Sequence, residues 1–426
     1  MIRPGIFLYS LVVLAALGLT GATRAEADGL TRAQAFARAA ALEALGAKIF
    51  ADRALSRSGQ LACSSCHDPA HGFGPGNDRA MQFGGKDLRQ TGFRATPALT
   101  YLQAVPQFSE HYYESEDEAD ASIDNGPTGG LTWDGRVDHA SDQARIPLLA
   151  PFEMDSSVAT VAAALRKAAY AGEIKAIFGD AIFNDPDQTF AAALKALAVY
   201  QQNAATFYPY SSKYDAYLAG RARLTDQEAR GLAAFNDPAK GNCGNCHRSE
   251  RADDGSAPQF SDFGMIALGV PRNRAIAANA DPGFFDLGLC GPLRADFKGR
   301  DDYCGLFRAP SLRNVALRKT FFHNGVIKSL HDAVEFYATR DTDPGRWYPR
   351  RADGSIDKFD DLPARYRGNI NMEPPFGGKP GDPPALSSAE IDDIVAFLGT
   401  LTDGYRPAPA GQQPGDAPPK AVANRP

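Results

Sequence analysis

Cys63-Ser-Ser-Cys66-His67 and Cys243-Gly-Asn-Cys246-His247 each place two thiols and an imidazole within five residues, twice in a chain of 426. That spacing suits covalent attachment of a haem. The thiols form thioethers with its vinyl groups, and the adjacent histidine takes the iron. Two other chemistries also use Cys-x-x-Cys. A zinc site needs four ligands and usually keeps its cysteine pairs closer than the 180 residues that separate these two. A dithiol redox pair does not need the following histidine and accompanies a βαβ pattern that this sequence lacks.

Haem attachment of this kind belongs to an exported protein, and the N-terminus reads accordingly. Arg3 precedes an apolar run, Ile6 to Leu19, too short to span a bilayer comfortably. Ala25-Glu26-Ala27 is a small-x-small cleavage site, so the mature chain is expected to start at Asp28, an uncleaved anchor being the alternative. No later segment has eighteen apolar residues in a row. The expected product is soluble and periplasmic, with no membrane span after cleavage. Four of the six cysteines belong to the two motifs, leaving Cys290 and Cys304. In an oxidising compartment these read as a disulfide, and two free buried thiols are the alternative. Removing the leader takes the formal charge from −6 to −7, which argues against nucleic acid.

The elements that must position the motifs form a loose duplication. Glu43-Ala-Leu-Gly46-Ala-Lys-Ile-Phe50 precedes the first motif and Glu228-Ala-Arg-Gly231-Leu-Ala-Ala-Phe235 the second. Each puts a glycine and a phenylalanine on one helix face, where a second helix can approach closely. Further helices are expected near 158–179, 189–206 and 387–401, the last opening on the capping box Ser387-Ser-Ala-Glu390. Strand-like alternation is scarce. Phe207 to Arg223 reads as a connection between domains, 109–130 as an acidic loop that is either solvated or a docking patch, and 405–426 as a disordered Pro-rich tail.

With these residues in view, the chain resembles the bacterial dihaem cytochrome c peroxidases and their MauG-like relatives. The likeness rests on both haem motifs, Trp133-Asp-Gly-Arg136, Pro147 through Glu153-Met154, Pro310-Ser-Leu-Arg-Asn314 and Phe322-His-Asn-Gly325. It implies an all-α fold of two cytochrome-c-like haem domains packed around an interface. They would span 28–206, with the peroxide-reactive haem, and 207–404, with the electron-transfer haem, after a signal peptide at 1–27.

Of the site residues, His67 and His247 are the expected proximal ligands. Cleaving a bound peroxide heterolytically needs a group that moves a proton between its oxygens, as a placed carboxylate can. Glu153 resembles the family's distal glutamate, Gln143 its distal glutamine, Pro147 a proline over the same face, and Trp133 a tryptophan lying between the haems. The family's peroxidases that require reductive activation carry a capping histidine after the first motif. Here none lies between His71 and His111, so an open first haem is expected, with His111 and His139 as conceivable caps. Tyr337 stands where a high-potential relative carries an axial methionine; a phenolate there would lower the potential, and Met265 is the rival ligand.

The family's interdomain calcium is doubtful in this chain. Ala95 replaces the asparagine ligand, and Arg318 is expected to supply the positive charge instead. Hydrogen peroxide and a redox protein, as donor or as substrate, are the implied partners. Three functions fit: MauG-like oxidation of a protein or other donor, reduction of peroxide by a small cytochrome, and non-enzymatic electron transfer.

Overall fold

The computed structural model describes residues 30–112 and 126–407. The leader, the heart of the acidic loop and most of the Pro-rich tail lie outside the described residues. The chain is mostly helical. The helices are α1 (Arg32–Phe50), α2 (Ala140–Leu149), α3 (Val158–Lys167), α4 (Ala171–Phe178), α5 (Pro186–Tyr200), α6 (Ala204–Phe207), α7 (Lys213–Leu218), α8 (Asp226–Asn236), α9 (Leu330–Thr339), α10 (Pro344–Trp347) and α11 (Ser388–Gly399). Two antiparallel pairs, β1 (Phe83–Gly84) with β2 (Gln90–Thr91) and β3 (Met265–Ile266) with β4 (Phe307–Arg308), complete the regular structure. Among the described residues no helix is long and apolar enough to cross a membrane.

Two large apolar cores divide the helices. The first gathers Leu45, Ile49, Phe50, Phe190 and Phe207; the second gathers Tyr214, Phe235, Phe260, Phe336 and Phe397. Each fully buried phenylalanine contributes roughly 2 kcal/mol by transfer alone. The segment read as a connection contributes to both cores, because it holds the end of α6 and all of α7.

The expected glycine crossings are present. A Cβ on Gly46 of α1 would overlap the carbonyl oxygen of Ala196 in α5, and one on Gly231 of α8 would overlap that of Asp393 in α11. Both cores therefore depend on a helix pair in backbone contact. α8 and α11 start on capping boxes, Thr225 with Glu228 and Ser387 with Glu390. The disulfide Cys290–Cys304 forms, closing a loop that carries a third, smaller apolar cluster with Leu289 and Tyr303.

The duplication extends well past the motifs. Isolated bridges join Leu131 to Val137 and Phe321 to Ile327. Inside each turn a residue with left-handed φ, Thr132 at 74° or Phe322 at 64°, precedes Trp133 or His323, and a left-handed glycine follows, Gly135 at 62° or Gly325 at 60°. α2 and α9 begin at matching places beyond these turns. Trp133 thus corresponds to His323, and Pro147 to Tyr337.

Gly231→Val forces α8 off α11, and overpacking at such a contact costs roughly 1–3 kcal/mol. The variant is expected to melt lower than the parent holoprotein and to fill its second haem site less completely. An unchanged thermal midpoint in a differential scanning measurement would contradict the backbone contact.

Candidate functional site

Each Cys-x-x-Cys-His segment begins as a short 3-10 turn, Cys63–Ser65 or Cys243–Asn245, that leaves the histidine at its end. His67 Nδ1 lies 2.9 Å from the carbonyl oxygen of Phe73, and His247 Nδ1 lies 2.7 Å from that of Phe260. Both phenylalanines adopt left-handed φ, 54° and 53°, which turns their carbonyls inward. Burial holds both imidazoles neutral, with His67 lowered to about 4. A neutral ring facing a carbonyl must carry its proton on Nδ1, so Nε2 keeps its lone pair for a metal.

The cysteines are not organised for zinc or for dithiol chemistry. Among the described residues neither motif gathers the cluster of ligand atoms a metal ion would need. Desolvation pushes Cys63 and Cys243 up to about 12, so they are thiols rather than the low-pKa thiolates of a redox pair. All four are unpaired and half-buried, as thioether formation requires, and Cys243 and Cys246 line a cavity.

Around the first motif, α2 supplies Gln143 and Pro147 on one face, four residues apart. Pro147 has no N–H, so the Gln143 carbonyl lacks its usual helical partner. The chain then turns back, Met154 N donating to the Pro147 carbonyl at 3.0 Å, and this turn presents Glu153. β1 locks it from outside: Gly85 N donates to the Glu153 carbonyl at 2.7 Å, and a Cβ on Gly84 would overlap that backbone. Desolvation raises the Glu153 carboxyl to about 7, partly opposed by the charge of Arg136. Glu153 in turn raises Cys63 and Cys66, which puts it within electrostatic reach of the motif. His111 and His139 are exposed, and His71 pairs with Asp68 at 2.8 Å.

A continuous cavity is lined by Cys243, Cys246, His247 and, from α9, Tyr337. The Tyr337 hydroxyl has no hydrogen-bond partner among the described residues, and burial keeps it protonated well above the usual phenol range. Tyr337 is partly buried and its phenol lines the cavity, where a ligand could meet it. A haem iron in that cavity would do so. Met265 packs instead into the smaller cluster with Leu289 and Leu362 and is not itself among the residues that line this cavity. Trp133 lines the same cavity, its indole N–H donating to the Ala95 carbonyl at 2.8 Å. Imidazoles held through Nδ1, unpaired thiols and a phenol without a hydrogen-bond partner all fit two covalent haems.

Arg318 places its guanidinium on two backbone carbonyls, Thr96 at 3.0 Å and Thr320 at 3.3 Å. Burial alone shifts it, lowering it to about 10, so no carboxylate balances it. The sequence also concealed the partners of the other buried charges. Arg94, for instance, makes a bidentate pair with Asp286, both contacts at 2.7 Å, and meets Asp134 at 2.6 Å. Asp286 lies 192 residues and Asp134 forty residues along the chain, so neither leaves a local signal.

Comparison with known proteins places these features in context. Residues 40–223 match the family described as di-haem cytochrome c peroxidase. The methylamine utilization protein MauG of Paracoccus denitrificans is 34% identical over 374 residues, covering 85% of this chain and 89% of that one. The cytochrome c551 peroxidase of Pseudomonas aeruginosa is 28% identical over 292 residues, covering 68% and 69%. Among solved structures, the diheme peroxidase BthA from Burkholderia thailandensis is 41% identical, with a TM-score of 0.75 over 85% of this chain and 86% of that one.

With Arg318 on the carbonyls of Thr96 and Thr320, treatment of the holoprotein with EDTA is expected to leave activity and melting temperature unchanged. A chelator-induced loss restored by calcium would show that an ion still binds there.

Proposed function

The chain belongs to the di-haem cytochrome c peroxidase family and is a dihaem oxidoreductase carrying two c-type haems, and from that premise we propose that it is an exported, MauG-like enzyme. In this reading hydrogen peroxide reacts at an open first haem, and electrons are drawn through the second from a protein or other large donor. The bound haems supply peroxide cleavage at one iron and electron transfer at the other. Everything else falls to the protein.

Glu153 takes the proton from the near oxygen of the peroxide and returns it to the far one, so that water can leave. A carboxyl raised to about 7 by burial is suited to both steps near neutral pH. The Gln143 amide, one helical turn from Pro147, orients the peroxide. Pro147 offers no donor or acceptor side chain that could compete with the substrate. His67, held neutral against Phe73, would hold the iron through its other ring nitrogen. Complete reduction of one peroxide to two waters consumes two electrons and two protons, and the donor provides the electrons.

The observation that carries the MauG-like reading is the asymmetry at matching positions, Pro147 in one half and the unpartnered Tyr337 in the other. A proline cannot cap an iron, whereas a tyrosinate stabilises the ferric state and lowers the potential. Reduction of peroxide by a small cytochrome uses the same Glu153 and Gln143, but gains nothing from a low-potential second haem.

Two experiments test this. The as-isolated diferric protein is expected to react with peroxide at once, in a stopped-flow optical experiment; a lag relieved only by prior one-electron reduction would favour the ordinary peroxidase. Glu153→Gln is expected to keep both haems yet lose roughly 10²–10⁴ in peroxide turnover. In the parent, the peroxide step should rise as pH passes about 7, because Glu153 must be ionised to accept the proton. A flat profile and near-parental turnover would reduce Glu153 to a structural role.

A further inference from the structure

Five arginines are buried among the described residues: Arg272, Arg294, Arg308, Arg313 and Arg340. Four hold a carboxylate: Arg272 meets Asp361 at 3.1 Å, Arg294 Asp296 at 2.9 Å, Arg313 Asp215 at 2.9 Å and Arg340 Asp341 at 2.7 Å. Arg308 holds none. Its Nε donates to the Thr132 carbonyl at 3.2 Å, and its two terminal nitrogens have no protein partner among the described residues. Burial is the sole influence on its charge, lowering it to about 10. The guanidinium lies 5.8 Å from the centre of the Phe263 ring, and a cation held there with no counter-ion favours a site that can receive an anion.

Arg308 also lines the cavity that holds Cys243, Cys246, His247 and Tyr337. Its direction is fixed from three sides. β4 pairs it with Met265 of β3, its backbone N–H donates to the Trp133 carbonyl at 2.8 Å, and Nε takes the neighbouring Thr132 carbonyl. Arg318, the other cavity cation without a carboxylate, already has two carbonyls on its guanidinium. A haem brings two propionates, and a forked guanidinium is the side chain best shaped to receive a carboxylate in a bidentate pair.

We propose that Arg308 is the anchor for a propionate of the second haem and ties that haem to the Trp133 turn. The inference rests on the two-haem assignment and adds a positioning residue to it. One guanidinium then grips the carboxylate with its terminal nitrogens while its Nε and backbone hold residues 132 and 133. Displacement of the second haem and of the indole becomes a single coupled motion. The cation also neutralises a propionate and so favours the reduced iron.

The test uses the full-length exported holoprotein, with haem counted by pyridine haemochrome before anything else. A parent with one haem or none would end the two-haem reading itself rather than this inference. In Arg308→Gln carrying two haems, the midpoint potential of one haem is expected to fall and its propionate-bending band in resonance Raman to shift. The other haem should be unchanged, and Arg308→Lys should recover part of the potential. Unaltered potentials and bands in Arg308→Gln would overturn the proposal. If that variant fails to mature, a crystal structure of the parent holoprotein decides: a propionate oxygen within about 3 Å of a terminal nitrogen supports the anchor, and a guanidinium facing only water or backbone refutes it.

Discussion

The hydrogen bond from each ligand histidine to a phenylalanine carbonyl is the constraint on which the rest of the structure depends. Without it, the imidazole of His67 or His247 could exchange tautomers and rotate, and no fixed direction for an iron–nitrogen bond would exist. The lock works because Phe73 and Phe260 accept a left-handed backbone, unusual for a bulky residue. That strain is held in place by packing. Phe73 stacks on Phe207 with ring centroids 4.2 Å apart, and Phe260 meets Tyr214 at 5.4 Å, so each aromatic cluster keeps the carbonyl aimed at the ring nitrogen. The apolar cores therefore act on the iron sites through two carbonyl oxygens.

Onto this repeated frame the sequence writes differences at a few matching places. Pro147 and Tyr337 share one position, Trp133 and His323 another. His323 stacks flat on Phe307 with centroids 3.6 Å apart and is held neutral by burial. Both line the cavity, but Trp133 makes no such stack and donates its N–H to the Ala95 carbonyl instead. The same backbone thus carries a proline in one half where it carries a phenol in the other, and a hydrogen-bonded indole where its counterpart is a stacked imidazole. In a duplicated scaffold, unequal potentials need only side-chain replacement and no change of fold.

How much of this was legible beforehand follows the range of each interaction. The haem motifs, the glycine-faced helices, the capping box at Ser387 and the Cys290–Cys304 pair are written in local spacing, and all appear where expected. Resemblance named candidate residues for the site, but not what holds each of them in place. The left-handed turn at Phe260 has no glycine beside it to announce it, and although Gly72 and Gly74 flank Phe73, they mark a turn there without saying that the phenylalanine itself takes the left-handed conformation. The lock on Glu153 comes from Gly84 and Gly85, almost seventy residues upstream, in strands only two residues long. The carboxylate partners of Arg94, Arg272 and Arg313 lie about ninety to two hundred residues away, so burial without a partner, the feature that distinguishes Arg308, cannot be read from sequence at all.

Three hydrogen bonds between the two halves and within the first link His323, Ala95, Trp133 and Arg308 into one chain. Ala95 N donates to the His323 carbonyl at 2.6 Å, Arg308 N donates to the Trp133 carbonyl at 2.8 Å, and the Trp133 indole returns to the Ala95 carbonyl. Arg94, beside Ala95, spans the same seam by gripping Asp286 and Asp134 together. Buried ion pairs of this kind contribute little net stability, since desolvation offsets most of their attraction, yet removing one partner costs roughly 3–5 kcal/mol. Their effect is to forbid alternatives. A slipped interface would strand Arg94 or Asp286 without its partner, so the halves have one register. Electron transfer between two fixed irons demands that one register, because its rate falls steeply with distance and a sliding interface would make it erratic. The seam therefore spends its polar groups on position, leaving cohesion to the apolar cores on either side.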